Sequence, residues 1–300
     1  MSRNIAGARG GRWLFVGGSG RIGRMLRCAW AREPSLSAVV WQRRAAKGHE
    51  PSALTDVVWD PASGPARLEH EVARGGALTG MFVFAGVTPS PSADYAQNVS
   101  ILERCVGAAR AVGVKRLIVA SSSAVYGAAP EGPLRESAAL NPVNEYGRSK
   151  VAMEAVCDEH RADDLEIVCL RIGNVLGADA LMVNARSARK DNPLRVDIFA
   201  DGHGARRTYI GPATLARVLD ALTRLPSWPA CLNVGLVEPV TMDQLAQISG
   251  VPWVQNPKAD DRLQNITLDC SQLAALMPGL LDDVGPVSMH NELTNLNLWP

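Results

Sequence analysis

Unbroken apolar runs punctuate the first half of the chain: "RWLFV" at 12–16, then "LSAVVWQRR", "DVVWD", "GMFVFAGVT", "KRLIVASSS" and "LEIVCLRIGNVLG". Apolar residues that follow one another without alternation fit strands covered on both faces, the environment of a parallel sheet. The stretches between them carry helical spacing instead. "RIGRMLRCAWAREP" stops at Pro34, and "DYAQNVSILERCVGAARAVGV" places Val99, Leu102, Val106 and Ala109 on one face before Gly113 ends it. "EYGRSKVAMEAVCDEHR" reads as a further helix. Six strands alternating with helices over residues 1–177 predict an α/β fold with a doubly wound, open parallel sheet and right-handed crossovers.

After Gly177 the texture changes. "ADALMVNARSARKDNPLRVDIFADGHGARRTYIGPA" is polar and turn-rich, "TLARVLDALTRL" returns to helix and "CLNVG" to strand, and "TMDQLAQISG" is a short helix with Thr241 as its cap and Gly250 as its stop. The main domain is therefore expected over 1–177, rejoined by 208–236. Residues 178–207 and 237–300 form a smaller, interleaved C-terminal lobe.

Composition changes this picture little. A 300-residue chain with 47% apolar residues and a net charge of +1 carries no footprint for nucleic acid. Cys28, Cys105, Cys157, Cys169, Cys231 and Cys270 lie far apart, with no CxxC and no histidine at ligand spacing, so no metal site is expected and the thiols read as reduced and mostly buried. "MSRNIAGARGGRW" lacks the apolar core of a signal peptide and no run is long enough to span a membrane, which predicts a cytoplasmic protein. The tryptophans Trp30, Trp41, Trp59 and Trp228 read as packing residues, and of the histidines only His203, in "DGHG", merits a test.

"GGSGRIG" spaces Gly17, Gly20 and Gly23 as GxxGxxG between a strand and a helix opened by Arg21 and Ile22. Such a turn presents backbone amides to a pyrophosphate at the positive end of the helix, and its last glycine lets helix and strand pack closely. Residues 1–177 thus read as a dinucleotide-binding Rossmann domain. A carboxylate at the end of the second strand would take both ribose hydroxyls, but this chain places Gln42, Arg43 and Arg44 there. A guanidinium can bind the 2'-phosphate that an acid repels, so NADP is preferred over NAD as the cofactor.

"EYGRSK" sets Tyr146 and Lys150 four apart in a helix, hence on one face. An ammonium beside a phenol stabilises the phenolate and prepares it to exchange a proton with a substrate hydroxyl or carbonyl. "VASSSAVYG" ends the fifth strand with serines at the carboxyl edge, where open parallel sheets build their sites.

Glycine turn, serine strand and YxxxK together resemble the short-chain dehydrogenase/reductase superfamily, in its extended branch, the NAD(P)-dependent epimerase/dehydratase family. Asn98 in "YAQNVSILERC", Asn174 in "LRIGNVLG", "RTYIGPATLARVL" and "LNVG" follow the family's order. The resemblance implies Ser122 as the catalytic Ser/Thr, Tyr146 as acid/base and Lys150 as its partner on the nicotinamide ribose. It further implies Asp60 near the adenine, Ala85 and Gly86 against ribose and phosphates, Asn98 at the cofactor, and Ser123, Asn174 and Arg207 toward substrate. Two departures narrow it. Ser123 and Ala124 stand where the family's 4,6-dehydratases carry an Asp-Glu pair, which argues against that elimination, and Ala213-Thr214 replaces the acidic pair that usually follows Arg207.

The expected function is an NAD(P)-dependent oxidoreductase that transfers a hydride between nicotinamide and a secondary alcohol or ketone of a sugar or sugar derivative, free or nucleotide-linked. An epimerase with tightly held cofactor is the alternative, and a non-catalytic NADP-binding regulator the third reading. The resemblance also implies a homodimer.

Overall fold

The computed structural model describes residues 11–33, 38–43, 56–127, 132–162, 164–258 and 264–299. Its first half alternates strand and helix: β1 (Arg12–Val16), α1 (Arg21–Arg32), β2 (Ala38–Arg43), β3 (Asp56–Val58), α2 (Ala66–Gly75), β4 (Gly80–Val83), α3 (Gln97–Ala111), β5 (Arg116–Ala120), α4 (Glu145–His160) and β6 (Glu166–Ile172). The second half adds β7 (Asn174–Val175), α5 (Ala180–Ala185), β8 (Leu194–Ile198), β9 (Arg206–Arg207), β10 (Tyr209–Ile210), α6 (Pro212–Arg224), β11 (Cys231–Val234), β12 (Val240–Thr241), α7 (Met242–Ile248), β13 (Trp253–Pro257), β14 (Asn265–Ile266), α8 (Ser271–Leu276) and α9 (Pro286–Asn295). A seven-stranded parallel sheet runs in the order β11-β6-β5-β4-β1-β2-β3. The six expected strands are all present, and "CLNVG" supplies the seventh as β11.

Chain contacts group the molecule into two compact units. One comprises Met1–Ala120, Ser149–Cys169 and Arg217–Ala230. Its strands are buried on both faces: β4 is buried at all four positions and β1 at four of five. α1 covers them with Met25, Leu26, Ala29 and Trp30. An aromatic cluster fills the space, with Trp13 and Phe82 4.8 Å apart, Phe15 and Trp41 4.8 Å apart, and Trp30 edge-on to both Trp41 and Phe82. A Cβ on Gly80 would lie 2.3 Å from the Trp13 ring, so the ring can lie flat on the strand only because position 80 has no side chain. Arg116 braces one edge of this unit. It pairs with Glu166 at 2.7 Å, lies 3.8 Å over the Trp228 ring, and donates to the Thr223 and Leu225 carbonyls at the end of α6.

The second unit comprises Ser121–Arg148, Leu170–Ala216 and Cys231–Pro300. Its centre is a buried polar network. Arg171 Nη1 donates to the Tyr126 hydroxyl and to the Glu136 carbonyl, each at 2.8 Å, and Tyr126 donates to Asn233 Oδ1 at 2.8 Å. Asn233 in turn donates through Nδ2 to the carbonyls of Leu134 and Asp269, leaving no polar atom of its amide idle. Burial pushes the Tyr126 phenol up to about 12 despite the neighbouring Arg171 guanidinium, so it stays a neutral hydrogen-bonding bridge. From α9, Glu292 accepts hydrogen bonds from the backbone amides of Ala213 (2.7 Å) and Thr214 (3.1 Å), putting a carboxylate on the otherwise orphaned first turn of α6.

Two local expectations need correcting. Thr241 occupies the N-cap position of α7 but makes no side-chain cap hydrogen bond to the helix. On α3 the buried stripe is Asn98, Ile101, Leu102, Cys105, Val106, Ala108 and Ala109, with Val99 half-buried at its margin, because a polar residue supplies part of the inward face. The six cysteines are free, with Cys105, Cys157, Cys169 and Cys270 buried. Among the described residues no helix is long and apolar enough to cross a membrane.

The contact at Gly80 yields a stability test. Gly80→Ala forces its methyl against a fully buried ring and is expected to lower the unfolding free energy by about 1–3 kcal/mol in urea titration. Gly107→Ala, mid-helix on the exposed face of α3 with open space at its Cβ, is expected to raise it by up to about 1 kcal/mol.

Candidate active site

The glycine turn is shaped by what its residues lack. Gly17 has φ +103°, and a Cβ there would lie 2.5 Å from the Ala85 amide nitrogen. At Gly23 a Cβ would lie 2.3 Å from the Gly17 carbonyl, so the first turn of α1 packs directly on the end of β1. The Gly20 amide donates back to the Gly17 carbonyl at 2.9 Å, and Gly20 is the N-cap of α1 with no side chain over the helix end and no acid in the first turn. Gln42 ties the turn down. Its Oε1 accepts from the Gly17 amide at 2.9 Å and its Nε2 donates to the Trp59 carbonyl at 2.5 Å. A residue read as a cofactor contact is thus also the brace between β1, β2 and the end of β3.

A cavity of about 520 Å³ opens beside this turn, lined by Gly17, Ser19, Gly20 and Gln42, by Asp60, Pro61 and Ala62 after β3, by Phe84, Ala85 and Gly86 after β4, and by Gln97, Ser100, Ile101 and Arg104 of α3. A helix N-terminus without a side-chain cap and a cavity of ligand size fit the pyrophosphate and adenosine of a dinucleotide. Asp60 caps the short 3₁₀ turn Pro61–Ser63 through the Ala62 amide at 2.9 Å.

Several residues expected at the cofactor stand outside that lining. Arg21 is exposed at the start of α1, Ile22 is half-buried and Gly23 lies behind the turn. Arg43 turns its guanidinium toward Asp56, 3.8 Å away, and Arg44 falls outside the described residues. Asn98 is almost fully buried: its Oδ1 accepts from the Val87 amide at 2.7 Å and its Nδ2 donates to Ser149 Oγ at 2.9 Å, so it holds the Gly86–Val87 backbone from behind. Lys150 donates to the Ala120 carbonyl at 2.8 Å, and its Nζ lies 3.8 Å from where a Gly86 Cβ would sit. Burial lowers its pKa to about 8, leaving the ammonium charged at neutral pH.

In the second unit, Ser122 caps the 3₁₀ turn Ser123–Val125, its Oγ accepting from the Ala124 amide at 3.2 Å. The first turn of α4 abuts that turn: a Cβ on Gly147 would lie 2.5 Å from the Ala124 carbonyl. This close approach sets the half-buried Tyr146 beside the serine turn, with Lys150 one helical turn further along α4. Asn174 and Arg207 belong to short strands of two different small sheets, β7 beside β10 and β9 between β12 and β14. β7 pairs β10 with Asn174 opposite Tyr209, while Arg207 donates to the Arg206 and Gln264 carbonyls at 2.7 and 2.8 Å. Burial lowers the pKa of Arg207 and raises those of Asp179 and Tyr209, whose side chains lie 3.4 Å apart.

Sequence reasoning missed Ser19, Pro61, Ala62, Phe84 and the α3 stripe Gln97, Ser100, Ile101 and Arg104. The i, i+3, i+4, i+7 spacing of the α3 stripe was the one signal available, and a stripe with three polar residues of four and two of them exposed does not stand out from an ordinary solvated face.

The NAD dependent epimerase/dehydratase family model matches residues 13–206. A UDP-glucose 4-epimerase of Azospirillum brasilense is 34% identical over 177 residues, 56% of this chain and 50% of that protein. The chain spans about half the length of the curated relatives it matches. Among solved structures, the UDP-glucose 4-epimerase from Brucella ovis in complex with NAD superposes with a TM-score of 0.77 at 22% identity, covering 93% of this chain and 96% of that one. TunA, an NAD dependent NDP-hexosamine 5,6-dehydratase of tunicamycin biosynthesis, gives 0.75 at 21%, covering 96% and 97%. At these identities the superpositions establish the fold. With the family model spanning well over half the sequence, the chain belongs to the NAD dependent epimerase/dehydratase family.

Proposed function

We propose that this protein is an NAD(P)-dependent oxidoreductase that moves a hydride between nicotinamide and a secondary alcohol or ketone of a sugar or sugar derivative, free or nucleotide-linked. The observation that carries the reading is the buried ammonium of Lys150, fixed on the Ala120 carbonyl near Gly86 and one turn from Tyr146 on α4. The cofactor, when bound, accepts or returns the hydride. Tyr146 exchanges the proton of the reacting hydroxyl, and the Lys150 charge makes the phenolate accessible. Ser122 holds the reacting oxygen by a hydrogen bond. Asn174 and Arg207, with Ser123, are proposed to face the substrate.

NADP is the preferred cofactor and NAD the second. Support comes from the end of β2, where Gln42 and Arg43 stand in place of the carboxylate that would repel a 2'-phosphate. The proposal includes a substrate lobe over 178–207 and 237–300, a cytoplasmic location and a homodimer. Epimerisation is the second reading, favoured by the relatives that are UDP-glucose 4-epimerases. It uses the same three residues and differs in returning the hydride to the same substrate. Supplying UDP-glucose with NAD or NADP separates the two: a lasting rise in nicotinamide absorbance marks net oxidation, and a C4-inverted product without that rise marks epimerisation.

Three outcomes are expected. Tyr146→Phe lowers turnover by about 10²- to 10⁴-fold while calorimetric cofactor affinity stays the same; full activity in the variant would refute the role. As pH rises through about 8 the Lys150 ammonium is lost, so kcat declines on the alkaline side, and that limb is missing from the residual activity of Lys150→Met. Arg43→Asp weakens NADP relative to NAD by about tenfold or more, and an unchanged ratio of dissociation constants would remove Arg43 from cofactor choice.

A further inference from the structure

Arg104 is an exposed residue of α3 and the one cation among the described residues lining the cavity beside the glycine turn. It lies three residues beyond Ile101, four beyond Ser100 and seven beyond Gln97, so these four form a single stripe of the helix. α3 packs against the Pro61–Ser63 turn, whose Pro61 and Ala62 line the same cavity. Pro61, Ala62 and Ile101 thus give this cavity apolar lining, and Asp60 and Arg104, next to them along the chain or the helix, give it polar groups. Among the described residues Arg104 has no carboxylate holding its guanidinium, whereas Arg43 is engaged by Asp56.

We propose that Arg104 closes the adenine end of this cavity by laying its guanidinium plane over the base of a dinucleotide cofactor. The inference rests on the reading of the cavity as the cofactor site. Apolar lining suits a purine ring, and a planar, weakly hydrated cation beside it stacks on a π-face in a way that an ammonium cannot. Such a contact touches the base alone. Its contribution is therefore the same for NAD and NADP and independent of whatever meets the 2'-phosphate at the end of β2.

The test is calorimetric binding of NAD, NADP, ADP-ribose and nicotinamide mononucleotide to the wild-type protein, Arg104→Ala and Arg104→Lys. Both variants are expected to bind NAD, NADP and ADP-ribose about fivefold more weakly, with nicotinamide mononucleotide and the melting temperature unaffected. Loss confined to NADP would show the guanidinium meeting a phosphate and overturn the proposal. Wild-type affinity in Arg104→Lys would overturn it by showing that charge alone suffices, and unchanged affinity in Arg104→Ala would end it outright. A wild-type protein that binds neither dinucleotide would sink the cofactor reading and this inference with it.

Discussion

Everything at the carboxyl edge of β1 depends on close approaches at positions that carry no side chain of their own. Gly17 lies against Ala85, Gly23 against Gly17, and Gly86 against the carboxamide of Asn98 at distances no Cβ could share. Each glycine costs conformational entropy on folding, about 0.5–1 kcal/mol relative to alanine, and the fold accepts that cost at three places within one site. What offsets it is hydrogen bonding. Gln42 and Asn98, both buried, spend their amides on Gly17, Trp59 and Val87, turning loops that would otherwise be soft into fixed walls. The cavity keeps its shape because its floor is made of main chain, which has no rotamers to change.

The sheet was legible because both of its requirements are written locally: unbroken apolar runs for strands buried on two faces, and helical spacing between them. The glycine turn and the Tyr146, Lys150 spacing were legible for the same reason. What escaped is non-local. Nothing in "NEL" announces that Glu292 caps α6, some eighty residues earlier in the chain, and nothing near Gln42 announces that its amide bridges β1 to the end of β3. Short elements such as α5 and α9 escaped because six or ten residues hold too few apolar positions to show a period against a polar background. Arg43 reads in sequence as a cation free for a phosphate, while in the fold Asp56 shares it.

The two units solve polar burial differently. The first concentrates aromatic rings, sets Arg116 where it braces a helix end, and buries the Lys150 ammonium on a backbone carbonyl. The second buries an arginine outright. Arg171 Nη1 donates to a neutral phenol and a carbonyl, so these dipoles help to solvate its charge, and removing Tyr126 would cost one of those buried hydrogen bonds. Tyr126 also closes the turn that Ser122 opens, which links that network to the serine by four residues of backbone.

Lys150 shows where an ordering cost can be placed. A long, flexible side chain normally surrenders much of its rotamer freedom when it grips a ligand. Here the anchor on Ala120 and the burial of the residue hold the chain in the folded protein, so that the ordering cost falls on folding and does not recur with every encounter. The same confinement leaves the residue only 6% exposed, which slows its reaction with acylating or alkylating reagents.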